Sequence, residues 1–86
     1  MNNVKAAELL AVQAKKWGDE AIGTVGSLAK AYRDDEKQLM KVVQLLKANK
    51  IKQARKKASD LDTIVRDVIP TEVYDWLFDE DNEDNE

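Results

Sequence analysis

The sequence predicts an all-α fold, a compact bundle of three or four helices, and three observations carry that expectation. Good helix formers (alanine, leucine, lysine, glutamine and glutamate) dominate the 86 residues. Helix breakers are scarce, with one proline and three glycines. Apolar residues recur at threes and fours almost throughout, the spacing that gathers them on one helix face.

Asn2 or Asn3 is placed to cap the first helix, whose apolar stripe runs Val4, Ala7, Leu10, Ala11, Ala14 and Trp17. Gly18 with Asp19 is the expected stop. Ala21 to Ser27 is ambiguous. Gly23, Thr24 and Gly26 weaken a helix, each glycine by about 1 kcal/mol relative to alanine. Yet small and apolar side chains keep a seven-residue spacing from Val4 to Tyr32, so one long helix is the alternative. A second helix covers Asp35 to Ala48 and starts as early as Ser27 if Leu28 and Tyr32 belong to its stripe with Leu39, Val42 and Leu46. Asp35 interrupts that stripe. Lys47-Ala48-Asn49-Lys50 reads as a tight turn, with Asn49 in the left-handed conformation. The third helix follows Ile51, Ala54, Ala58, Leu61, Val65 and Val68, and Pro70 stops it. Thr71 then caps a short last helix holding Val73, Tyr74, Trp76, Leu77 and Phe78. The chain divides into a helical domain, 1–78, and an acidic tail, 79–86. The tail carries Asp79, Glu80, Asp81, Glu83, Asp84 and Glu86 with no apolar side chain, a composition that predicts disorder.

Size and composition narrow the class. A chain this short buries roughly 60–65% of its unfolded surface. Ten of its hydrophobic residues are alanine. The core must therefore come from Leu9, Leu10, Val12, Trp17, Ile22, Val25, Leu28, Leu39, Val42, Val43, Leu45, Leu46, Ile51, Leu61, Ile64, Val65, Val68 and the terminal aromatics. Self-association would bury more. Cysteine and histidine are both absent, which removes disulfides, thiolate metal sites and the commonest catalytic base. No phosphate loop occurs, and the acidic terminus lacks the glycine and last ligand of a calcium loop. Gly23-Thr24-Val25-Gly26 matches the GxxG of nucleic-acid-clamping KH domains, but those need strands, so a loop or close helix packing is the reading. The chain is expected to be non-enzymatic, with no metal or cofactor. With no apolar run of signal-peptide or membrane-spanning length, an intracellular, cytoplasmic protein is expected.

Charge is sorted into blocks. From Lys37 to Ser59 there are eight basic residues and no acid; from Asp60 to Glu86 there are eleven acids and Arg66. The first 36 residues are nearly balanced, five basic against six acidic. Such segregation points to a macromolecular partner more than a small substrate. With the third helix's apolar stripe inward, Lys52 and Lys56 fall on the opposite side, and Arg55 and Lys57 on the flanks. Together with Lys47 and Lys50 they form a candidate surface for phosphates or an acidic partner. No aromatic interleaves them, which argues against base stacking. The tail is the candidate modulator. It can screen the basic face, mimic a phosphate backbone, or simply keep the chain soluble.

The segment Asp67-Val68-Ile69-Pro70-Thr71-Glu72-Val73-Tyr74-Asp75-Trp76-Leu77 reads Asp-x-Ile-Pro-x-x-Val-aromatic-x-aromatic-aliphatic. It resembles the C-terminal end of the Hha/YmoA family, small all-helical bacterial modulators that bind the nucleoid protein H-NS. It is also similar to the small helical proteins encoded beside the UvsW recombination helicase of T-even phages. The resemblance rests on Asp67, Ile69, Pro70, Val73, Tyr74, Trp76 and Leu77; the arginine-rich N-terminal segment of Hha has no counterpart, and the acidic tail is additional. It implies a four-helix unit that works by protein contact near DNA. The expectation is a bacterial or phage-encoded interaction protein acting around DNA transactions or nucleoid regulation, with a protein partner and non-specific nucleic-acid contact. An acidic nucleic-acid-mimic inhibitor of a host enzyme and a structural helical subunit are the alternatives.

Overall fold

Asn2 caps the first helix: its side-chain oxygen accepts from the Lys5 amide at 2.8 Å. This satisfies one of the amides a helix start leaves without a partner. The computed structural model describes residues 1–79. Five helices follow within them: α1 (Asn3–Ile22), α2 (Ser27–Lys47), α3 (Ile51–Ser59), α4 (Thr63–Arg66) and α5 (Thr71–Leu77). No strand occurs among the described residues, and the fold is all-α as predicted. The expected disorder from Glu80 to Glu86 lies outside the described residues.

α1 does not stop at Gly18 but runs through it to Ile22. A Cβ at Gly18 would meet the Glu36 carboxylate of α2, the movable end of a flexible side chain, so this glycine lies mid-helix where α1 faces α2 and does not end the helix. The hairpin turn comes later. Thr24 donates its hydroxyl to the Glu20 carbonyl at 2.8 Å, and Gly26 takes φ 75°, ψ −149°, which only glycine adopts without strain. The region 18–34 is therefore helix–loop–helix, with α2 starting at Ser27.

The α2–α3 turn forms as expected. Asn49 is left-handed at φ 58°. The Lys50 amide bonds the Leu45 carbonyl at 2.9 Å and the Asn49 amide bonds the Leu46 carbonyl at 3.0 Å. This pair of bonds is the Schellman arrangement, which consumes the last carbonyls of α2 and reverses the chain within two residues.

The predicted third helix is divided. α3 ends at Ser59, three residues turn, and α4 begins at Thr63. The Ser59 hydroxyl bonds back to the Arg55 carbonyl, while the Asp60 amide is shared between the Lys56 and Lys57 carbonyls. Asp60 and Asp62 also put negative charge at the negative end of the helix dipole, which disfavours continuation. Leu61 and Val65 stay buried across the break, but Ile69 takes the buried place expected of Val68, which is half-exposed. Thr71 opens α5 without a side-chain capping bond; Pro70, at φ −55° and ψ 141°, precedes it.

The core gathers Ala6, Ala7, Leu10 and Ala14 of α1, Leu39, Val42, Val43 and Leu46 of α2, and Ile51, Ala54, Ala58, Leu61, Val65, Ile69, Val73 and Leu77 from the rest. Alanine on α1 lets it lie close to α2. The Asn3 amide ties the start of α1 to the Leu46 carbonyl at 2.9 Å. Only the half of the hairpin near its open end is covered by α3–α5. The distal half projects, which gives the molecule its 43 × 21 × 20 Å dimensions. Ile22 (82% exposed), Val25 (90%) and Leu28 (52%) sit at that tip, and Val12 and Ile64 are also exposed, so these five leave the expected core.

Asp35 interrupts the α2 stripe where the covering layer ends. Burial pushes its carboxyl above the ordinary 3.8, and the charges of Asp62 and Asp34 act in the same direction. Because the folded value is the higher one, ionised Asp35 opposes folding. That cost is absent below the ordinary value, develops as pH rises through the folded value, and is complete at neutral pH. Asp35→Asn is therefore expected to raise the melting temperature at pH 7. The advantage should vanish near pH 3. Thermal unfolding followed by circular dichroism at both pH values checks this; an equal or lower melting temperature at pH 7 contradicts it.

Candidate functional site

The Schellman turn sets α3 beside one flank of α2 and opens a groove between them. Lys41, Gln44 and Leu45 of α2 and Ala48, which caps its end, follow i, i+3, i+4, i+7 spacing and share a face away from the core stripe. They line a shallow depression of about 370 Å³ with Lys50 from the turn and Lys57 from α3. A second depression of about 390 Å³ adjoins it, lined by Leu45, Gln53, Lys56, Lys57 and Asp60. Leu45 and Lys57 are common to both. Leu45 is half-buried and floors the groove, and Lys57 is half-buried along its wall. The lysine stems extend this apolar lining while their ammonium groups stay at the rim.

Four ammonium groups, from Lys41, Lys50, Lys56 and Lys57, thus border one groove, with Asp60 as the single acid among its lining residues. Charges of one sign along a cleft with low-dielectric walls reinforce one another's field. The arrangement presents several like point charges along its length.

Of the six basic residues the charge block nominated, the groove brings together Lys50, Lys56 and Lys57. Lys47 and Lys52 are exposed but are not among its lining residues. Arg55 is engaged elsewhere. It lies on the opposite flank of α3, where its Nε donates to the Leu77 carbonyl at 2.7 Å and Nη2 to the Asp79 carbonyl at 3.0 Å. Its guanidinium thus caps the C-terminal end of α5, where a helix leaves carbonyls unpaired and favours positive charge. Of the candidate modulatory residues, Asp79 is the described one, and its carbonyl is held by Arg55. Glu80, Asp81, Glu83, Asp84 and Glu86 lie outside the described residues.

Sequence reasoning missed Lys41, Gln44, Leu45, Ala48 and Gln53. The usable signal was the Lys41–Gln44–Leu45–Ala48 spacing, a second face on α2 that the core stripe does not use. Among the described residues no helix is long and apolar enough to cross a membrane. No protein-family model, curated protein or solved structure matches the chain.

Proposed function

We propose that this protein is a non-enzymatic interaction module that docks on polyanionic surfaces in the setting of DNA transactions or nucleoid regulation, in the cytoplasm of a bacterium or a phage-infected cell. One observation carries the reading: four lysines drawn from two helices and the turn between them border two depressions that share Leu45 and Lys57. A groove rimmed by ammonium groups suits a phosphate backbone or a row of carboxylates. Its contacts are point charges with no base-edge readers, so nucleic-acid affinity would be salt-dependent and sequence-independent. The resemblance of residues 67–77 to the Hha/YmoA end supports the DNA-proximal setting. In the structure that segment supplies buried Ile69, Val73 and Leu77, so the shared pattern is largely a packing pattern.

Titrating a labelled random-sequence duplex at several salt concentrations tests this. Three or four phosphate contacts give a log–log salt slope of about −3. Lys50→Ala with Lys57→Ala should reduce that slope by about two and weaken binding about tenfold at low salt. Loss of binding at low salt in the unaltered chain, or binding indifferent to the lysines, overturns it. Capture of a partner from lysate, repeated after nuclease treatment, separates protein from nucleic acid. Capture that depends on the tail carboxylates and not on the lysines would put the acidic-mimic reading in its place.

A further inference from the structure

We propose that the α2–α3 groove is a binding site for an acidic peptide and that its resident occupant is the chain's own C-terminal segment, residues 80–86. The consequence for external ligands rests on the function proposed above. The chain leaves the described fold beside α3. Arg55 holds the Leu77 and Asp79 carbonyls, so Asp79 is delivered against the flank of α3 and not to a remote end of the molecule. The seven residues beyond Asp79 span about 23–25 Å when extended. A helix with its side chains is about 10–12 Å across, so halfway round α3 is about 16–19 Å. The segment can therefore pass the outward face of α3, which carries Lys56, and enter the groove at Lys57 and Lys50.

Charge favours the same occupant. Glu80-Asp81-Asn82-Glu83-Asp84-Asn85-Glu86 carries five side-chain carboxylates and no basic or apolar residue. It cannot add to the core, but it can meet the four rim lysines. On α1 and the start of α2 the basic residues are compensated nearby in sequence: Lys15 and Lys16 precede Asp19 and Glu20, and Lys30 and Arg33 precede Asp34, Asp35 and Glu36. The groove lies within reach, beside exposed Lys52 on the outward face of α3. A short tether holds the segment at millimolar effective concentration. If the segment occupies the groove about nine-tenths of the time, the apparent dissociation constant of an external polyanion rises about tenfold.

Two readouts on the full-length chain test this. Zero-length carbodiimide coupling at high dilution, mapped by mass spectrometry, should join carboxylates of 80–86 chiefly to Lys41, Lys50, Lys56 and Lys57. The variant Glu80→Gln, Asp81→Asn, Glu83→Gln, Asp84→Asn, Glu86→Gln keeps the chain length and the Asp79 carbonyl, and should bind the duplex about tenfold more tightly at low salt. Couplings spread over Lys5, Lys15, Lys16 and Lys30 as readily as over the groove overturn the docking, whatever the duplex does. Groove couplings with no duplex binding by either chain uphold the docking and overturn the proposed function. Groove couplings with equal duplex affinity in both chains uphold the site and overturn the competition.

Discussion

Leu10→Ala is expected to lower the melting temperature by about 15–25 °C, because Leu10 is the one large, fully buried side chain that α1 contributes among the described residues. The other largest fully buried side chains, Leu39, Val42, Val43, Leu46, Val65, Val73 and Leu77, all come from elsewhere. The remaining buried positions of α1 are Ala6, Ala7, Ala14 and Ala21. Alanine permits close approach to α2 but brings little apolar area, so the hydrophobic attachment of α1 to the rest of the core is concentrated in one residue. Truncating a buried leucine costs about 3–4 kcal/mol, the transfer term plus the cavity left behind. A domain of this length has about 4–13 kcal/mol of total stability, and each kcal/mol shifts its melting temperature by about 4–8 °C. Leu10→Met keeps volume and polarity and should cost under about 1.5 kcal/mol. Chemical denaturation of the two variants beside the unaltered chain measures this. A loss below about 1 kcal/mol for Leu10→Ala would mean that half-buried Leu9 and Trp17 carry the attachment instead.

The same concentration explains which parts of the structure the sequence made legible. Periodicity located the helices because the stripes are real: Leu39, Val42 and Leu46 are fully buried, and so are Ala54, Ala58 and Val65. Turn chemistry located Asn49, whose left-handed conformation follows from a local preference. Periodicity could not see the break at Ser59–Asp62, because Leu61 and Val65 face the core on both sides of it. It could not rank Ile22, Val25 and Leu28 as exposed either. Their exposure depends on how far α3–α5 extend along the hairpin, which is a tertiary length and not a pattern. Gly18 was ambiguous for a different reason: glycine both ends helices and is tolerated inside them, and the hairpin turn that actually ends α1 comes only after Ile22.

The candidate site divides along the same line. Lys50, Lys56 and Lys57 were legible as a charge block. Lys41 and Leu45 join them only because the Schellman turn folds α3 back along that flank of α2. Arg55 belonged to the block by charge and leaves it by geometry, since its partners are backbone carbonyls, and a carbonyl carries no signature in the sequence.

Arg55→Ala is accordingly expected to act on stability first, by about 2–3 kcal/mol. Hydrogen bonds to a charged donor contribute about 1.5–3 kcal/mol, and the substitution removes two while leaving the part-buried Leu77 carbonyl without this donor. α5 is short, with Val73 and Leu77 as its buried anchors, so the loss falls on a helix with little else to hold its end. Arg55→Lys separates charge from geometry. Lysine carries its three N–H donors on one nitrogen and cannot match the fixed spacing of Nε and Nη2 in the guanidinium fork, so it should recover less than half of the lost stability. It keeps the positive charge, so if Arg55 contacted an external polyanion, Arg55→Lys would bind normally and Arg55→Ala would lose about one unit of salt slope. If Arg55 serves α5, both variants should bind the duplex with the unaltered slope while folded. Amide exchange should then accelerate from Tyr74 to Phe78 in both, more in Arg55→Ala. Unchanged exchange in α5 together with a reduced salt slope would return Arg55 to the binding surface and leave the end of α5 to its apolar anchors.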